Sequence, residues 1–69
     1  MAKVKINVDW DDNYGAAPAN EDIACVVTGK TFEEVKANMA ESLRLHLDWM
    51  REEGDTIPAD FQGEYELEF

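Results

Sequence analysis

The stretch from Ala24 to Leu47, ACVVTGKTFEEVKANMAESLRLHL, decides the fold. It reads as an apolar strand over Ile23 to Thr28, a turn at Gly29, and a long amphipathic helix opened by Thr31. Thr31 and Glu34 make a capping box, in which the Thr hydroxyl accepts an orphan helix N–H and the Glu side chain reaches back to another. At 100° per residue, Phe32, Val35, Met39, Ala40, Leu43, His46, Leu47 and Met50 gather into one apolar stripe. Gly54 is a natural stop, since a left-handed residue there closes the last carbonyls without a Cβ clash.

The strand before this helix is β-branched and apolar on both sides, which predicts burial on both faces. Working outward, Val4, Ile6, Val8 and Trp10 alternate with Lys5, Asn7 and Asp9, the period of two of a half-buried first strand. Asp11, Asp12 and Asn13 supply turn chemistry for a hairpin into Tyr14 to Ala17. Pro18 has no N–H to donate, so it belongs at a strand end or edge. After a connector from Ile57 to Gly63, Tyr65, Leu67 and Phe69 alternate with Glu64, Glu66 and Glu68 as a last strand. Its outward glutamates need charge relief, and Lys3 and Lys5 offer it if the last strand lies beside the first. The predicted class is α+β with order β-β-β-α-β: a three-stranded antiparallel sheet, a fourth strand beside strand 1, and one long helix packed on one face.

A strand ending in Cys25, then Gly29, Thr31, Glu34 and Asn38 or Met39 leading into a Leu-rich helix, resembles the HicB-like antitoxin family. The resemblance spans nearly the whole chain, 1–69, read as a single domain. It departs where the family usually has Pro-Asp-Leu-Pro-Gly-Cys, and this chain has Asn20-Glu21-Asp22-Ile23-Ala24-Cys25. What the resemblance implies is a partial ribonuclease-H-like fold and a protein that neutralises a small basic toxin, HicA, which cleaves mRNA using a histidine. Many members of the family carry a DNA-binding segment after this domain; this sequence ends at Phe69 inside an apparent strand, which favours an excised domain over a stand-alone one.

Sixty-nine residues allow one domain and a small core. Chains this short commonly add a disulfide, a metal or self-association. One cysteine forms no internal disulfide and no metal-ligand spacing occurs, so oligomerisation, as a dimer or tetramer, is the remaining staple. The net charge of -10 is uneven: no Lys or Arg lies between Lys5 and Lys30, or after Arg51. Such a surface repels phosphate backbones, which excludes direct nucleic-acid binding by this domain. With no apolar run of membrane length, no signal-peptide pattern and a lone thiol, the chain reads as cytoplasmic.

Candidate chemistry is sparse, and the chain reads as no enzyme. His46 has no Ser or Cys at a motif spacing and reads as a packed or interface residue. Cys25 has no cationic neighbour to lower its pKa and reads as a small hydrophobe. Asp9, Asp11 and Asp12 invite a metal reading, but a solvated hairpin accounts for them better. No cofactor is implied. The acidic residues Glu21, Asp22, Glu52, Glu53 and Asp55 suit docking onto a basic partner. Leu45 and Trp49 fall outside the apolar stripe, and either they and Val26 form a self-association surface or the loop from Ile57 to Phe61 covers the helix pair. Two functions stay open: an antitoxin that occludes a HicA-like toxin, or an oligomerisation domain of a repressor whose DNA-binding segment lies elsewhere. A hydrolase would need convergent carboxylates or a His–nucleophile pair, and neither is found.

Overall fold

The computed structural model describes residues 1–20 and 22–69. Strands β1 (Ala2–Trp10), β2 (Tyr14–Pro18) and β3 (Val27–Gly29) form an antiparallel meander, followed by helix α1 (Phe32–Glu53), a single 3-10 turn (Ala59–Phe61) and strand β4 (Tyr65–Glu68). The sheet order is β3-β2-β1-β4: β4 lies beside β1, as the alternation of charge anticipates, and runs parallel to it. The register sets Lys3 opposite Glu66 and Lys5 opposite Glu68, so the outward glutamates of β4 face the outward lysines of β1.

The helix is fixed at both ends by its own sequence. The Glu34 amide donates to the Thr31 hydroxyl at 3.1 Å, and Thr31 holds the extended backbone of an N-cap. At the other end Gly54 adopts φ 76°, its N–H reaching Arg51 O at 3.2 Å while the Asp55 N–H reaches Met50 O at 2.9 Å. That pair of bonds is a Schellman closure, and it satisfies carbonyls that a straight exit would leave open.

Gly29 departs from the turn predicted for it. It is the last residue of β3, buried, and a Cβ placed there would lie 2.7 Å from the backbone nitrogen of Val35. The glycine therefore lets the first turn of α1 rest on the end of β3; the chain turns at Lys30 and Thr31 instead. Asn38 ties the same junction one turn later, its Nδ2 donating to Thr28 O at 2.9 Å.

β3 is also shorter than the apolar run of Ile23 to Thr28 predicts, and Cys25 precedes it. The register pairs Tyr14 with Gly29 and Ala16 with Val27, so continuing it would set Pro18 opposite Cys25. Because Ala19 donates to Lys5 O, alternation aims the Pro18 nitrogen at the β3 side, where it has no hydrogen to give. The ladder stops before that point. Nor is the segment buried on both faces: Val26 is 76% exposed and Thr28 is exposed, while Ile23 turns into the core.

The core lies on one face of the sheet. Val35, Met39, Leu43, Leu47 and Met50 of α1 pack with Val4, Ile6, Ala16 and Ile23. Within the predicted stripe, Ala40 is exposed, Phe32 lies at the rim and His46 is half-buried. The helix bears on β2 and β3, leaving the β1 side to the 3-10 turn, whose Phe61 is fully buried with its ring edge-on to Tyr65 at 5.1 Å. Phe61 is thus a core residue that strand and helix periodicity miss.

Two substitutions test this arrangement by chemical denaturation. Phe61→Ala is expected to lower stability by about 3 to 5 kcal/mol, the usual cost of emptying a large aromatic site. Gly29→Ala is expected to cost about 1 to 3 kcal/mol, because the obstructing atoms are backbone and the helix must shift. A Gly29→Ala protein as stable as the parent would contradict the close approach.

Candidate protein-docking surfaces

The structure brings some of the predicted surface residues together and separates others. Asp22, Glu52, Glu53 and Asp55 are all exposed, and Glu21 lies outside the described residues. Asp22 sits on the connection between β2 and β3, its N–H bonded to Asn20 Oδ1 at 2.9 Å, which makes a local Asx turn. Glu52, Glu53 and Asp55 crowd the C-terminal end of α1, where Arg51 is the one basic residue of the last turn. Carboxylates at that end oppose the helix dipole, which favours cations there by about 0.3 to 1 kcal/mol each. The exposed end of α1 is accordingly a place where an incoming cation relieves an existing strain of charge.

Leu45 and Trp49 are 56% and 55% exposed, so the loop from Ile57 to Phe61 does not cover them. Phe61 goes into the core instead, carrying that segment under β1. The two apolar side chains stand on the outer face of α1 beside Glu41, Arg44 and Asp48, and next to a shallow depression lined by Ala37, Ala40, Glu41 and Arg44. His46 lies beside Trp49 with ring centres 6.3 Å apart. Val26, the third residue predicted for self-association, is open on the β3 side of the molecule and not part of this face.

A second apolar surface has no counterpart in the sequence reading. Trp10 lies 4.4 Å from Tyr14 with the rings tilted at 49°, Tyr14 meets Phe32 at 5.8 Å, and Phe32 meets Phe69 at 6.2 Å. This row of rings joins four elements at one end of the sheet, and Trp10, Phe32 and Phe69 remain 61%, 38% and 38% exposed. Lys36 Nζ sits 5.6 Å and 5.9 Å from the centres of Phe32 and Phe69, in cation–π range. Exposed acids, Asp9, Asp11, Asp12, Glu33 and Glu34, belong to the same strand end, hairpin turn and first helical turn. Trp10 and Tyr14 face each other across the hairpin, but Phe32 and Phe69 lie far along the chain, so no local pattern announces the whole row.

Groups with chemical potential are ordinary by comparison. Asp9, Asp11 and Asp12 are exposed, and among the described residues no cluster of three His, Cys, Asp or Glu could hold a metal ion. Partial burial pushes the Cys25 thiol up from its usual range. A raised pKa means less thiolate at any given pH, so the nucleophilic form is scarce near neutrality. Among the described residues no helix is long and apolar enough to cross a membrane.

Compared with family models, with curated proteins and with solved structures, the chain matches none.

The half-buried thiol yields a direct check. At pH 7.5, Cys25 should react with iodoacetamide several-fold more slowly than free cysteine, and unfolding in guanidinium should remove the difference. Reaction as fast in the native protein as in the unfolded chain would contradict the burial that raises its pKa.

Proposed function

We propose that this chain is an antitoxin-like protein of a type II toxin–antitoxin system, binding and occluding a small basic HicA-like mRNA-cleaving toxin. The observation that carries the reading is the combination of a strongly acidic surface with an exposed row of aromatic rings at one end of the sheet. Aromatic anchors give a protein interface most of its binding energy, while surrounding charge of one sign steers a partner of the opposite sign. The sheet order with β4 beside β1 is also the arrangement implied by the resemblance to HicB-like proteins. A net charge of -10 opposes direct contact with RNA, so carboxylates over the basic RNA-binding surface of a toxin would exclude substrate by occupying its place. Stoichiometric masking of this kind requires no reaction by the antitoxin.

A second reading, an oligomerisation domain of a transcriptional repressor, draws on the open Leu45 and Trp49 face of α1. Both readings place the protein in the cytoplasm and make it a partner of other proteins.

The test uses a purified small basic protein encoded beside this chain's gene and a defined mRNA. Cleavage should fall to background at one equivalent of the acidic chain, and the chain alone should not shift the RNA at 100 mM salt. Glu52→Lys, Glu53→Lys and Asp55→Lys together, or Trp10→Ala alone, should weaken capture at least tenfold, with the charge variants losing most of the salt dependence. Undiminished cleavage with the parent chain present in excess would refute the antitoxin reading. If the chain inhibits but neither variant weakens capture, the interface lies elsewhere on the molecule.

A further inference from the structure

The outer face of α1 differs from the rest of this acidic surface in its charge. Glu41, Arg44, Asp48 and Arg51 follow one another at spacings of three, four and three residues, all exposed, down one flank of the helix. Their signs alternate, two negative and two positive, so this row is itself neutral on a chain of net charge -10, with exposed Glu52 the one further acid beside it, one turn past Asp48. The chain's two arginines are both here. Leu45 and Trp49 stand alongside this row at a spacing of one turn, each more than half exposed.

An alternating row of this kind is complementary to its own reversal. Laid antiparallel against a second helix of the same sequence and centred near His46, Glu41 faces Arg51 of the other copy and Arg44 faces its Asp48, twice over by symmetry. A parallel pairing would set like against like. A twofold axis perpendicular to the helices keeps each flank on its own side, so the charged row meets the charged row, and Leu45 and Trp49 meet Leu45 and Trp49. A uniformly basic partner would find two arginines opposing it on this face, whereas a second copy finds none unpaired.

We propose that this face of α1 binds the same face of a second copy, as an antiparallel helix pair with Leu45 and Trp49 at its centre and the two crossed Glu–Arg and Arg–Asp pairs along one side. The overall repulsion between two acidic chains acts over longer distances and is screened beyond about 8 Å at physiological salt, so the contacting charges decide the sign. The Arg51–Asp48 pair within one chain, 3.2 Å apart and exposed, is a weak surface bridge and gives up little when shared across the interface. A single helix face is at the small end of stable interfaces, so the pair is expected to be weak and is sought at high micromolar concentration. The aromatic row at the end of the sheet involves other residues and stays open in the pair. The pairing deepens the oligomerisation reading and does not rest on the toxin reading, which has its own assay.

Sedimentation equilibrium on the whole chain at 150 mM salt, from about 5 to 500 µM, reads the result, with far-UV circular dichroism confirming the helix in every variant. The parent should rise toward twice the 7.8 kDa chain mass. Leu45→Ser with Trp49→Ser should remain monomeric throughout, as both side chains are exposed and dispensable for folding. Arg44→Asp should weaken association at least tenfold, and adding Asp48→Arg should recover most of it, because the swapped row is again complementary to its reversal. A parent that is monomeric at 500 µM, a dimer indifferent to the loss of Leu45 and Trp49, or a double charge swap no better than the single one would each overturn the proposal.

Discussion

The close seat of α1 on the end of β3 is the constraint from which the rest of the molecule follows. Gly29 has no side chain, the backbone of Val35 occupies the space a Cβ would need, and Thr31 and Asn38 fasten the two sides of the contact. With its start fixed there, a helix of 22 residues has to run back across the sheet for about 33 Å. Its buried row, Val35 to Met50, then covers β2 and β3, and β1 is left to be covered by something else. Phe61 fills that space, and the chain continues from it into β4 beside β1.

One helix on one face of a sheet buries one stripe, which leaves apolar and charged groups open on the remaining surfaces. The acids concentrate at the hairpin turn, the first helical turn and the helix C-terminus. Apart from single residues such as Val26, large apolar groups of the described residues stand exposed together in two places of different electrostatic character. The aromatic row at the sheet end is surrounded by acids, which suits a basic partner, and the outer face of α1 is balanced in charge, which suits a second copy. The aromatic row and the outer face of α1 share no residue.

Most of the architecture was legible because it depends on local periodicity and on caps. Thr31 and Gly54 bound the helix where the sequence places them, the period-two runs are strands, and the facing of Lys3 and Lys5 with Glu66 and Glu68 follows from their outward charges. The features that escaped reading depend on contacts between distant residues. Gly29 looks like a turn because close approach of a helix leaves no trace in its neighbours, and Phe61 looks like loop because a three-residue 3-10 turn shows no period. β3 looks longer than it is because Val26 and Cys25 have strand-like side chains, whereas its limit is set by Pro18 on the neighbouring strand. For the candidate surfaces, exposed acids and the outward Leu45 and Trp49 were legible from charge and helical phase. The aromatic row was not, since the hairpin pair Trp10–Tyr14 meets Phe32 only once α1 is seated, and Phe69 arrives only with β4.

The seat of the helix is open to a single direct observation in solution. In a ¹⁵N-edited NOESY spectrum of the folded chain, the Gly29 Hα protons should give a strong cross-peak to the Val35 amide proton, two positions six residues apart that no extended or helical segment brings so close. A spectrum with an intact α1 and no such cross-peak would contradict the account, because the helix would then lie on the sheet in some other way.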